Sequence, residues 1–195
     1  IQIWRINMKV GLVGEAPADT QSIKNLLKKR YSSIDFIELL RNKITGSSLE
    51  NQKTKTELRI ECITERPDIV IFIRDLDGLL TKDFRLKRLQ RQNYYKSFKG
   101  CTQVKKTVFL LNIWEIEALI LADIEAFNKF YNCSIEYNEN PMLVKEPKEL
   151  LYSFHKKYSE SHNGEIFEIS DFDKVYENCD YFKSFINKFE RLLMP

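Results

Sequence analysis

Histidine is scarce in this sequence. His155 and His162 are the only two, and neither stands at zinc-ligand spacing or beside a cysteine. A zinc centre and a histidine-based triad are therefore both weak readings. The four cysteines, Cys62, Cys101, Cys133 and Cys179, lie far apart and form no Cys-x-x-Cys pair. They read as reduced thiols of a cytoplasmic protein, not as a disulfide framework. No apolar run approaches the ~20 residues that a membrane helix needs. The chain opens on no charged-then-apolar leader, which argues against secretion. Repeats and low-complexity tracts are missing too, so a solenoid is not expected.

What is present is an ordinary globular composition, 43% hydrophobic and 30% charged over 195 residues, which suggests one domain or one domain with an appendage. The net charge of +3 says little, but its distribution says more. Between Thr81 and Lys106 nine basic residues face one acid, Asp83, leaving that segment at +8 and the rest of the chain at −5. A binder of an anionic polymer with a separate acidic site would show this asymmetry.

The chain is organised around Asp68-Ile-Val-Ile-Phe-Ile-Arg-Asp-Leu-Asp-Gly78. Five unbroken apolar residues, Ile69 to Ile73, follow Pro67 and predict a strand buried on both faces, near the middle of a sheet of four or five strands. Further strands are expected at Lys9–Val13, Ile34–Leu40 and Thr107–Asn112. Thr20 can cap a helix whose apolar face is Ile23, Leu26 and Leu27. Residues 41–56 read as polar loop or as loop passing into a helix, and Leu58, Cys62 and Ile63 as a helical stripe. A helix over Phe84–Phe98 should end at Gly100. The longest apolar-periodic helix is expected over Trp114–Tyr131, followed by irregular chain over 132–146. Pro147 opens a helix to about Tyr158. Residues 159–169 read as loop, and Tyr181–Leu193 as an amphipathic helix. Strands alternating with helices predict an α/β fold with a mostly parallel central sheet. The expected division is an α/β domain over 8–145 and a helical extension over 146–195 packed on it.

Three acidic pairs each follow a predicted strand: Glu15 with Asp19, Asp75 with Asp77, and Glu115 with Glu117. In a parallel sheet all three gather at the carboxyl edge, where ligand sites of open α/β sheets lie. Alternate residues of an extended chain point the same way, so Asp75 and Asp77 can face one point. Such carboxylates repel unless a cation separates them, and Mg²⁺ suits one or two carboxylates with water and phosphate. The plainer readings are a polar turn for Asp-x-Asp-Gly and helix-N-terminal acids for Glu15 and Glu115. Glu117 stands between Ile116 and Ala118, so a buried acid there needs a partner or a metal. Asp123 and Glu125 read as surface positions.

Glu15-Ala-Pro-Ala-Asp19 after the first strand and Asp75-Leu-Asp77-Gly after a buried one resemble the Toprim fold of topoisomerases, bacterial primases and the overcoming-lysogenization-defect nucleases. Trp114-Glu-Ile-Glu-Ala-Leu-Ile-Leu-Ala-Asp123 and Glu146-Pro-Lys-Glu-Leu-Leu151 further resemble small bacterial Toprim-related proteins, often encoded beside an ATPase. The likeness covers about residues 8–151. It departs at Ala16, where a glycine is usual, while Gly14 precedes the acid. The resemblance implies a Toprim-like Rossmannoid domain and Mg²⁺ or Mn²⁺ held by Glu15, Asp75 and Asp77, with Asp19 and Glu117 as further ligands. It also implies a nuclease acting on DNA or RNA, as the effector of an antiphage-defence or mobile-element system with an ATPase partner.

The basic helix should start beside this acidic edge. Arg85, Arg88, Arg91 and Lys96 are its candidate phosphate contacts, with Tyr94 and its neighbours Tyr95 and Phe98 as candidate base-stacking residues. The plainer reading is a solvated face with core aromatics. Two other classes compete: a haloacid-dehalogenase-like phosphatase, which would carry Asp-x-Asp-Gly on its first strand, and a non-catalytic Toprim subunit that docks on or regulates an ATPase.

Overall fold

A computed structural model describes residues 8–41, 51–76 and 83–194. Four strands, β1 (Lys9–Val13), β2 (Asp35–Glu38), β3 (Ile69–Asp75) and β4 (Lys106–Asn112), form one sheet in the order β2-β1-β3-β4. Every pairing is parallel, with Val10 opposite Ile69 and Asp75 opposite Asn112. β3 is interior and Ile69 to Ile73 are all buried, as an unbroken aliphatic run requires.

Helix α1 (Pro17–Arg30) begins with proline at its first turn and ends on Lys28, Lys29 and Arg30, where cations oppose the helix dipole. Asn51 caps α2 (Gln52–Glu65), its side chain accepting from the Thr54 N–H at 2.8 Å. The buried residues of α2 are Thr54, Leu58 and Cys62, a strict i, i+4 row. Ile63, which the apolar pattern puts on the same stripe, is 53% exposed and lies off the buried row. Helix α3 (Phe84–Cys101) runs through Gly100, which does not end it.

The expected helix over Trp114–Tyr131 is two helices, α4 (Ala118–Ala122) and α5 (Ile124–Tyr131), broken at Asp123 with φ −133°. Helix α6 (Pro147–Phe154) stops short of Tyr158. The predicted loop over 159–169 holds a 3-10 turn and α7 (Asn163–Ile169), followed by α8 (Phe172–Asn178) and α9 (Asp180–Leu193). Helices α7 and α8 are seven residues each, too short for periodicity alone to announce them, whereas α9 is the expected amphipathic helix.

The main core lies on the sheet face covered by α1 and α4–α9, and joins Ile71, Ile73 and Leu110 to Phe127, Phe167, Phe182 and Phe189. A smaller cluster under α2 and α3 holds Val70, Phe72, Tyr94 and Phe98. The C-terminal helices thus share the main core with the sheet. Among the described residues no helix is long and apolar enough to cross a membrane.

Candidate metal centre

In the strand order β2-β1-β3-β4 the chain reverses direction across the sheet between β1 and β3. The crevice beyond their carboxyl ends is the usual ligand position of an open parallel sheet. Glu15 follows β1 and Asp75 ends β3, so both stand at that point. Gly14 lets α1 start close by, because a Cβ there would meet Thr20 Cγ2 at 3.0 Å and Asp19 Cβ at 3.4 Å. Ala16 is extended at φ −136°, a conformation that needs no glycine. Its N–H donates to Asp19 Oδ2 at 3.2 Å, which holds Asp19 over the strand ends.

Glu15 Oε1 accepts from the buried Arg74 guanidinium and from the Asp75 N–H at 3.2 Å. The Arg74 guanidinium also lies 4.4 Å over the Tyr94 ring. Asp75 Oδ1 accepts from Asn112 Nδ2 at 2.8 Å across the β3–β4 pair. Glu117 is buried, and Oε1 accepts from Asn163 Nδ2 at 2.8 Å, with the Tyr158 hydroxyl at 3.3 Å. The partner that its apolar setting demanded is therefore partly supplied by α7. Glu115 is half-buried and accepts from the Lys148 N–H at 3.3 Å. Asp77 lies outside the described residues.

The four described carboxylates, Glu15, Asp19, Asp75 and Glu117, share one electrostatic field. Burial, then the charges of Glu117 and Glu15, push Asp19 up to about 7. Burial raises Asp75 well above the ordinary carboxylate range; the Asp19, Glu15 and Glu117 charges add to it, and the Asn112 bond opposes it. Burial raises Glu117 against the Asn163 bond that lowers it. The groups nevertheless do not collapse on one point: among the described residues no three Asp, Glu, His or Cys side chains form a ready ligand cage. The donor set still fits a hydrated hard cation, which takes one or two carboxylates and keeps several waters. Asn112 Oδ1 supports that fit, being fully buried beside Asp75 without a hydrogen-bond partner.

Two sequence expectations change here. Asp123 is 4% exposed, not a surface acid, and accepts from the Asp171 N–H at 2.8 Å, with Lys174 Nζ 4.0 Å away. Glu125 is exposed and paired with Lys174. Tyr94 is buried between Phe72 and Phe98, ring centroids 6.4 and 4.5 Å away, so it is packing and not a platform for bases. Phe98 is buried with it, and Tyr95 stacks on Phe109 at 4.9 Å.

Arg85, Arg88 and Lys96 are exposed on α3. Arg91 is half-buried and its Nε donates to the Asp75 carbonyl at 2.9 Å, which ties the basic helix to the acidic edge. The residues that sequence reasoning passed over are Arg74, Asn112, Tyr158 and Asn163. Asn112 alone gave a signal, as a polar residue closing the apolar run Val108–Leu111.

Fold and site define a doubly wound parallel α/β protein with a partly buried group of carboxylates at its topological switch point. The chain belongs to the DUF4276 family (domain of unknown function), whose model matches residues 15–190. No curated protein and no solved structure matches it.

Proposed function

We propose that this protein is a divalent-metal-dependent, Toprim-type nuclease that hydrolyses phosphodiesters of DNA or RNA. One observation carries the reading: Asp75 is half-buried at the switch point in the field of three other carboxylates, with a cationic helix fastened to its own carbonyl by Arg91. Such an arrangement joins a site for a cation to a surface for a polyanion. The resemblance carried by Glu15, Asp75 and Asp77 points the same way.

Glu15, Asp75 and Asp77 would hold Mg²⁺ or Mn²⁺, with Asp19 and Glu117 as further ligands. When bound, the cation supplies Lewis-acid activation of water and neutralises charge developing on phosphoryl oxygens. The chain's own residues do the rest. Arg74 fixes the Glu15 carboxylate against the end of β3. Asn112 orients Asp75, and Asn163 with Tyr158 orients Glu117. Asp19, pushed up to about 7, holds or releases a proton near neutral pH. Arg85, Arg88 and Lys96 offer charge to the phosphate backbone. The four cysteines are free, which suits the cytoplasm.

A docking role on an ATPase is the second reading. It draws on exposed aliphatic residues of two adjacent helices, Ile60 and Ile63 on α2 and Leu86 and Leu89 on α3. The phosphatase reading loses ground, since Asp75 ends the third strand and not the first. Incubation with DNA, RNA and p-nitrophenyl phosphate in Mg²⁺ or Mn²⁺ tests all three. Nucleic-acid cleavage that EDTA and Asp75→Asn abolish is the expected result. Hydrolysis of the small ester alone overturns it in favour of a phosphatase. Inertness toward all three, with capture of an ATPase partner, overturns it in favour of docking.

A further inference from the structure

A cleft of about 390 Å³ opens between α6 and the chain that follows it, lined by Lys148, Glu149, Tyr152, Tyr158, Ser159 and Glu160. That is the size of a small-ligand site. Lys148 and Glu149 stand four and three residues before Tyr152, so the three share one face of α6, while Leu151 is buried in the core. Two direct contacts join the cleft to the acidic edge. Tyr158 is 6% exposed, and its hydroxyl lies 3.3 Å from Glu117 Oε1. The Lys148 N–H donates to Glu115 Oε2 at 3.3 Å.

The lining suits a flat heterocycle that carries N–H donors and a negative charge. Tyr152 is 49% exposed, and an exposed aromatic ring is a surface on which a base of any sequence can stack. Tyr94 and Phe98 of α3 are buried and offer no such surface. The Lys156 ammonium lies 4.6 Å from the centre of the Tyr152 ring, so a cation stands beside the stacking position. Glu149 is exposed on the cleft wall, where its carboxylate can accept from the amino group of a base. Lys148 Nζ pairs with Glu160 at 2.9 Å, and the two side chains are 38% and 58% exposed. An ion pair so open to water is weak, and a phosphate can take the ammonium from it.

We propose that this cleft is a nucleotide-binding subsite. A base stacks on Tyr152 and bonds Glu149, and its phosphate is held by Lys148 and Lys156. The inference draws on the nucleic-acid part of the reading above and needs no metal ion. A nucleobase with an attached phosphate is offered both by a free nucleotide and by an unpaired residue of a single strand.

The test is titration calorimetry of the full chain in EDTA, where no cleavage interferes. The probes are the nucleoside monophosphates of the common bases and single-stranded tetramers of each. Tyr152→Leu keeps bulk but loses the ring, and should weaken binding about tenfold. Tyr152→Phe keeps the ring and should bind within about twofold of wild type. Lys148→Gln removes an ammonium from the phosphate and should weaken binding too, so the result does not hang on one variant. Melting temperatures should stay level for Tyr152→Leu, as at other exposed positions. Tyr152-dependent binding of the monophosphates supports the inference with a free nucleotide as ligand. The same dependence for the tetramers alone supports it with a strand as ligand. Equal affinities for wild type and Tyr152→Leu, or no binding of either probe, overturn it. Tetramer binding that falls only when Arg85 and Arg88 are changed to Ala also overturns it, and leaves the nuclease reading in place. Tyr152-dependent binding without cleavage in Mg²⁺ or Mn²⁺ overturns the nuclease reading and upholds this inference.

Discussion

The two faces of the sheet are covered very unequally. On one side α1 and the helices from α4 onward build a deep aromatic core around Phe127, Phe167, Phe182 and Phe189. On the other, α2 and α3 cover Val70, Phe72, Tyr94 and Phe98 and leave four aliphatic side chains exposed. The parity of β3 distributes its charges between them. Asp75 falls in line with Ile71 and Ile73 toward the deep face, and Arg74 with Val70 and Phe72 toward the thin one. The carboxylate therefore meets low dielectric and other acids, which raises its pKa, while the guanidinium turns to Tyr94 and Glu15. Two neighbouring residues of one strand thus reach opposite environments because successive side chains alternate.

The largest test of this asymmetry is core truncation. Phe189→Ala should cost about 3–5 kcal/mol by urea unfolding, because the site lies inside a dense aromatic cluster. Phe98→Ala on the thin face should cost less, near or below the lower end of that range. Equal losses would erase the distinction.

The next effect concerns pH. Asp19 titrates near 7 in the folded metal-free protein and near 4 when unfolded. Between these values the folded state binds more protons, so stability falls as pH rises from about 4 to about 7. Metal-free protein should melt higher at pH 5 than at pH 8, and Asp19→Asn should flatten that slope. An unchanged slope would place Asp19 outside the shared field.

A smaller effect is expected on the thin face. Changing Arg85 and Arg88 to Ala should flatten the log–log salt dependence of nucleic-acid affinity by about one to two units in filter binding. Arg91 is left in place because it bonds the Asp75 carbonyl. Parallel slopes would make α3 a solvated face. Smallest of all, Leu89→Asn should change stability by less than about 0.5 kcal/mol, as an exposed position does.

Much of the fold was legible because strong local signals agree with it. The run Ile69–Ile73 can be satisfied only inside a sheet, and the aromatic stripe of Tyr181–Leu193 only on a core. The α4–α5 break at Asp123 was not legible, since apolar periodicity continues across it. What breaks it is a distant contact, the Asp171 N–H bonded to Asp123. Tyr94 misled for a related reason: an aromatic among cations reads the same whether it faces solvent or Phe72.

By itself the sequence determined the strand–helix alternation, the central place of β3 and the positions of Glu15 and Asp75 at strand ends, because these follow from periodicity and short-range chain geometry. Only the tertiary structure decided which groups meet there. Arg74 takes Glu15, Asn112 takes Asp75, and Asn163 from a helix 46 residues away takes Glu117. Such pairings depend on strand order and on which helix packs where. No local pattern encodes them, because they form only when remote segments are brought together by burying a common core.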